Sequence, residues 1–292
     1  MQYDIKLRMN YDYADGVGGG RHQIRVLPLN LPGVQRVVAA ALSFSPQPAE
    51  RSDFVDFFEN NVTSVAYRSA HESLSVQMTA RVMVARPEPG FDVSPTLADL
   101  KDELLALLSL VPLSPHHFLA GTPFAVPNAD MTGYAAESLS PGRSVAAIAH
   151  DLCHRIHTDF TYDGEATTVT TNAAQAFELK SGVCQDFSHV MIAGLRGLGI
   201  PAGYVSGFLR TIPPAGKERL EGADAMHAWV KVWCGREAGW IEFDPTNDMR
   251  ASNDHIIVGY GRDYSDVSPI VGVLKTTGGQ AGEQLVDVIP VT

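Results

Sequence analysis

Cysteine is scarce in this chain, with three residues in 292, at positions 153, 184 and 234, and one of them stands where a thiol could react. In "SGVCQDFSH", residues 181–189, Cys184 opens a long run of apolar positions and follows a serine and a glycine. Ser181 or Gly182 is the expected helix cap, which puts Cys184 in the first turn. There the unpaired N–H groups and the helix dipole favour a thiolate. The same N–H groups can receive an oxyanion. A lone cysteine more commonly packs as a small hydrophobe, so position alone leaves both readings open.

A nucleophilic cysteine needs a base and a group that orients the base. His189 is near in sequence, but five helical residues amount to about 500° of turn, which points it away from Cys184. In "MHAWVKVW", His227, Trp229, Lys231 and Trp233 share one face of a strand, while Met226, Ala228, Val230 and Val232 take the other and face a core. His227 is thereby expected on the open face. "WIEFDPT" alternates likewise, with Trp240, Glu242 and Asp244 opposite in sense to Ile241 and Phe243, and "CGREA" between the two runs is of hairpin length. An antiparallel register with His227 opposite Asp244, Trp229 opposite Glu242 and Lys231 opposite Trp240 brings both apolar sets to one side. Directly opposed residues have Cβ atoms about 5 Å apart, close enough for the carboxylate to fix an imidazole tautomer. Pro245 ends the strand and holds that carboxylate at its edge. Cysteine at a helix start, then histidine and aspartate across a hairpin, is the order of a thiol, imidazole and carboxylate triad.

A second stripe of ligand-type side chains, His150, Cys153, His154 and His157, lies along one predicted helix. A single helix rarely wraps four ligands tetrahedrally and no second ligand cluster accompanies it, so an amphipathic helix is expected there and no metal.

The elements that must carry these residues fall into two groups. The first 85 or so residues alternate short β-type runs ("YDIKLRMNYDY", "RHQIRVLPL", "QRVVAAALSFSP", "FVDFFENN", "VTSVAYRSA", "LSVQMTARVMVA") with turn signals, which predicts an antiparallel β-sandwich. Leu74, Val76, Met78 and Ala80 alternate with Ser73, Ser75, Gln77 and Thr79 as one buried and one exposed face. "RPEPGFDVSP", 86–95, cannot continue a ladder and reads as the linker, giving an N-terminal domain over 1–88 and a catalytic domain over 89–292. The second domain begins with a helix capped by Thr96 and ended by Pro112, passes through loop to 142, and continues with a helix over 143–160 whose core face is Val145, Ile148, Ala149, Leu152 and Ile156. The helix from Cys184 stops at Gly199 and Pro201, and β runs follow, an α+β arrangement.

Bulk properties narrow the function. The length suits two domains. With 45% hydrophobic and 19% charged residues the chain has globular composition. Its apolar runs fall short of the roughly 18 residues of a spanning helix. A formal net charge of −11 argues against nucleic acid or an anionic membrane as partner. The charged start "MQYDIKLRMNYDYAD" lacks the apolar core of a signal peptide, so a cytoplasmic location is expected. An odd, sparse cysteine set argues against a disulfide framework.

"GVCQDFSHVMIAGLRGLGIPAGYVSGFL", "HAWVKVW" and "GWIEFDPTND" together resemble the transglutaminase-like superfamily, papain-related in fold, and specifically its bacterial cysteine-protease type. The first 85 residues resemble the β-rich N-terminal region of those proteins, and the tail "HIIVGYGRDYSDVSPIVGV" is similar as well. The resemblance implies Cys184 as nucleophile, His227 as general base and then acid, and Asp244 as orienter. It implies attack on an amide or thioester carbonyl of a peptide or protein substrate and passage of the acyl group through an acyl-enzyme to water or an amine, with no cofactor or metal. Hydrolysis of a peptide, isopeptide or other amide bond is expected, because amine transfer requires excluding water while admitting an amine. It also implies an oxyanion hole made of the Cys184 backbone N–H and an upstream donor, for which Tyr162 and Gln175 are the two candidates. Transfer to an amine in place of water, and a peptide-binding module with a vestigial triad, are the alternatives. Pocket shape is expected to depend on loops 211–224, a proline- and glycine-rich flap candidate, and 261–269.

Overall fold

A computed structural model describes residues 1–211 and 224–291, so most of the expected flap lies outside the described residues. The N-terminal third forms β1 (Gln2–Val17), β2 (Gly20–Ile24), β3 (Gln35–Ser45), β4 (Glu50–Val55), β5 (Asn61–Tyr67) and β6 (His71–Val84). In β6 the expected alternation holds, with Leu74, Val76, Met78 and Ala80 buried. The middle of the chain supplies α1 (Leu97–Leu105), α2 (Ala129–Ala136), α3 (Val145–Asp159), β7 (Thr161–Tyr162), α4 (Ala173–Leu179), β8 (Ser181–Gly182) and α5 (Cys184–Gly197). Then come β9 (Ala202–Leu209), β10 (Ala225–Trp233), α6 (Gly235–Ala238), β11 (Trp240–Asp244), β12 (Met249–Arg250), β13 (His255–Gly261), α7 (Tyr264–Val267), β14 (Ile270–Leu274) and β15 (Gln280–Val291).

Two four-stranded sheets, in the order β15-β1-β6-β3 and β14-β2-β5-β4, make the sandwich. The domain division expected at 88 and 89 placed residues 270–291 in the second unit. In the structure β15 pairs with β1 from Gln2↔Val291 to Tyr13↔Gln280, and β14 pairs with β2. The sandwich thus closes with strands from the far end of the chain. β15 alternates weakly, with Val286 and Val288 buried near its end and most of the strand exposed, so its pattern does not announce a sandwich strand.

The second unit is an antiparallel sheet, β12-β11-β10-β9-β13, with α3 and α5 against one face. Helix α1 starts as expected, with Thr96 Oγ1 accepting from the Asp99 N–H. It ends at Leu105 and not near Pro112, because Leu105, Leu108 and Leu110 find no core to enter and stay exposed. Helix α5 is buried on nearly all sides, from Asp186 through Arg196. It can be packed so closely because Gly194 and Gly197 face α2, where a Cβ at Gly197 would stand 2.0 Å from Thr132 Oγ1. Phe208, Ile256 and Val258 extend the sheet into the sandwich core. The face opposite the helices is covered too, where Leu29 packs with Val205, Trp229 and Ile257.

Arg196, near the end of α5, is 4% exposed and carries its charge inside the protein. It donates to the carbonyls of Phe118, Ala120, Ala202 and Arg262 and to Thr122 Oγ1, tying the loop before α2 and the segment after β13 to the helix. Arg196→Leu keeps the bulk but strands these acceptors, each costing ~1–3 kcal/mol when left unpaired. The urea midpoint is expected to fall by an amount equivalent to about 3 kcal/mol or more, with an unchanged m-value.

Candidate active site

Cys184 is the first residue of α5, but its cap differs from expectation. Ser181 and Gly182 form β8, paired in parallel with Thr161 and Tyr162, and Val183 occupies the cap position. The Val183 N–H is taken by Asp186 Oδ2 at 2.8 Å, and Thr167 donates to the same oxygen at 2.6 Å. Gly182 is required there, since a Cβ would lie 2.5 Å from that carboxylate oxygen. As the first helical residue, Cys184 has an N–H with no intrahelical acceptor. Its side chain is partly exposed, whereas Cys153 and Cys234 are buried, and burial pushes both of those thiols up in pKa, Cys234 to about 12.

His227 stands at the start of β10 with Nε2 2.8 Å from Asp244 Oδ2. The register that brings them together is shifted by two residues from the expected one. Lys231 pairs with Glu242 and Trp233 with Trp240, because "CGREA" forms the helical turn α6 and is not a tight hairpin. A shift of two preserves the faces of both strands, so His227 and Asp244 meet diagonally instead of directly. The face expected to be open is buried, in part by Leu29 from the segment that joins β2 to β3. Trp229 is fully enclosed, and Lys231 is 2% exposed with its ammonium 4.1 Å from the centroid of Phe118 and 4.5 Å from those of Trp240 and Tyr260. Burial lowers the Lys231 pKa to about 7, against the opposing pull of Glu242. Trp229 stacks along His227 at 6.0 Å and donates its indole N–H to Glu242 at 2.8 Å.

Asp244 has no solvent exposure, which by itself would raise its pKa, yet hydrogen bonds from His227 and His255 hold it well below the usual carboxylate range. Oδ2 also accepts from Asn247 Nδ2 at 2.7 Å, and Oδ1 from the N–H groups of Thr246 and Asn247. Burial pulls His227 down, but the Cys184 charge and the hydrogen bonds to Asp244 and Cys184 outweigh it and raise the ring to about 10. With Nε2 committed to Asp244, Nδ1 is the ring nitrogen left for the Cys184 sulfur.

The other expectations sort as follows. His189 lies between the rings of Phe124 and Tyr204, 5.3 and 5.1 Å away, and accepts from the Tyr264 N–H. Burial lowers it to about 3, so it is a neutral core residue. Tyr162, on β7, has its phenol pushed up by burial and further by a nearby Cys184 charge, and its ring stands 6.4 Å from that of Phe187. Gln175 is the third residue of α4 and closes a capping box with Asn172. In the α3 stripe, Cys153 is in the core, His154 pairs with Asp248 at 2.7 Å, His157 donates to the Thr246 carbonyl at 2.9 Å and His150 stands edge-on to Phe243. These side chains brace the turn after Asp244 and do not converge on a common point. Among the described residues, the His, Cys, Asp and Glu side chains near enough to share one ion are His227, Asp244 and His255. His255 Nδ1, however, accepts from the Ser252 N–H at 3.0 Å, so its other nitrogen presents a proton to Asp244 and not a lone pair. The three are joined by hydrogen bonds. His255, Asn247 and Trp229 were not foreseen as site residues. A histidine opening a strand otherwise apolar through "IIV" was the available signal for the first.

A papain-like α+β core, with a cysteine at the N terminus of a central helix beside a histidine and a buried aspartate, defines the class. The transglutaminase-like superfamily core matches residues 132–245, and the bacterial transglutaminase-like N-terminal region matches residues 3–83. Uncharacterized protein Rv2569c of Mycobacterium tuberculosis is 37% identical over 294 residues, covering 99% of this chain and 93% of its own length. Uncharacterized protein ML0607 of Mycobacterium leprae is 32% identical over 241 residues, 79% of each chain. The crystal structure of "a Putative Cysteine Protease from Cytophaga hutchinsonii" superposes with a TM-score of 0.72 at 20% identity, over 99% of this chain and 90% of that one, a likeness of fold. The chain belongs to the transglutaminase-like superfamily and carries its bacterial N-terminal region.

A histidine raised from 6.5 to about 10 on folding contributes stability that is complete below pH 6.5 and is lost as pH rises toward 10. The melting temperature of His227→Ala is therefore expected to lie furthest below wild type at pH 6 and to converge on it by pH 10, as measured by differential scanning calorimetry.

Proposed function

We propose that the protein is a cysteine-dependent acyl-transfer enzyme that hydrolyses peptide, isopeptide or related amide bonds through Cys184, His227 and Asp244. The observation that carries this reading is the chain of contacts from a helix-start cysteine to His227 and on to a solvent-free Asp244. Asp244 holds a proton on Nε2 of His227, so Nδ1 faces the sulfur and exchanges protons with it. The Cys184 sulfur attacks the carbonyl carbon, the oxyanion forms against the Cys184 N–H with Tyr162 as the nearby side-chain donor, and His227 gives its proton to the leaving amine. Water then adds to the thioester, with His227 taking a proton from it, and the acid leaves. A raised His227 suits the first half, since the imidazolium that must protonate the amine persists through neutral pH. Water is the acceptor assigned here, because transfer to an amine requires a channel that admits amines while excluding water. The acidic balance of the chain and the absence of a basic patch from its sequence support a peptide or protein substrate and not a nucleic acid.

Iodoacetamide at pH 6 is expected to label Cys184 at least about tenfold faster than Cys153 or Cys234, and His227→Ala is expected to abolish the difference. Equal slow labelling of all three would sink the nucleophile assignment. A glutamine-peptide library incubated with and without a labelled amine, read by mass, is expected to yield acid as the main product. Dominant amine incorporation reassigns the enzyme to transamidation, and an unreacted library with fast Cys184 labelling narrows the substrate to another amide or ester.

A further inference from the structure

We infer that His255 is a positioning residue for the reaction, acting through Asp244, an inference that rests on the function proposed above. His255 opens β13 and is fully buried. Its Nδ1 accepts the Ser252 backbone N–H at 3.0 Å and lies 3.3 Å from Ser252 Oγ. A backbone N–H can only donate, so Nδ1 must carry a lone pair, and the ring proton sits on Nε2. That nitrogen is 3.1 Å from Asp244 Oδ2, the same oxygen that accepts from His227. One carboxylate oxygen therefore takes two imidazole protons, one from the residue that reacts and one from a residue that does not.

The consequence is geometric. A carboxylate held on one side alone can rotate about its Cβ–Cγ bond and trade Oδ1 for Oδ2. Here the Thr246 and Asn247 N–H groups fix Oδ1, and His255 fixes Oδ2 together with the Asn247 side-chain amide. The Trp229 ring packs edge-on against His255 at 5.2 Å and lies along His227 at 6.0 Å, so both imidazoles are clamped by one indole. The polar and titratable groups around this carboxylate are His227 from β10, Cys153 from α3, Asn247 from the following turn and His255 from β13. Cys153 is a thiol in the core, and Asn247, whose side-chain amide also reaches Oδ2 at 2.7 Å, is exposed at the surface of the turn, which leaves His255 as the fully buried donor that does not react. Tautomer control of His227, and with it the direction in which Nδ1 faces, thus depends on a proton held by His255.

Nitrogen-15 NMR of histidine-labelled protein at pH 7 tests the assignment directly. His255 is expected with its proton on Nε2 and an unprotonated Nδ1, and the His227 Nε2 proton is expected as a slowly exchanging signal. In His255→Phe, which keeps the ring volume and removes the donor, the His227 proton should exchange too fast to detect and Cys184 alkylation should fall roughly tenfold to a hundredfold. In His255→Gln, whose side-chain amide N–H reaches toward the same oxygen, the signal should return and the rate should recover to within a few-fold of wild type. A His255 proton on Nδ1, or a His227 proton equally protected in all three proteins, overturns the inference. So does equal loss in both variants, which marks a role in packing alone. A wild-type Cys184 that labels no faster than Cys153 would instead overturn the nucleophile reading, and the NMR comparison would still decide the role of His255.

Discussion

A charged carboxylate with no contact to water is tenable only if the protein replaces its hydration with donors, and Asp244 sets that requirement at the centre of this molecule. Two imidazoles, one side-chain amide and two backbone N–H groups meet it. These donors come from β10, β13 and the turn after β11, so the carboxylate is satisfied only when three strands of the five-stranded sheet are in register. The geometry of the site and the correctness of the fold are in this sense one condition.

The same requirement explains why part of the N-terminal unit is pressed against the back of the sheet. His227, Trp229 and Lys231 line one face of β10, and without a cover Trp229 and the Asp244 network would be wet. Gln35 bridges the two units by donating to the carbonyls of Leu29 and Ile257 and accepting the Ile257 N–H, and Arg86 pairs with Glu242, which holds the Trp229 indole. The N-terminal unit therefore contributes to the dielectric environment of the histidine and aspartate.

Much of this was legible in the residues. Alternation identified β6 and β10, a serine- and glycine-preceded cysteine marked the start of α5, and the two-residue period of strands kept His227 and Asp244 on one face even though the register was displaced. Around the site, three of the features that resisted sequence reading did so for these physical reasons. The displacement arose because a glycine-containing connection can be a helical turn as readily as a hairpin, and only the packed chain decides. The cap of α5 lies at Val183 because the carboxylate of Asp186, the third helical residue, accepts the Val183 N–H. His255 and Asn247 went unseen because a residue that holds another in place has no chemistry of its own to announce it.

The return of β14 and β15 to the sandwich has a bearing on biosynthesis. Seen from the sandwich, everything from α1 to α7 is one long excursion between strands that must finally lie side by side. While the chain emerges from the ribosome, β1 carries an unpaired edge until Gln280–Val291 has been made. The helical core and its five-stranded sheet are by then already available to fold. Cys184 is thus housed before the N-terminal module can close, and β15 completes the first domain begun.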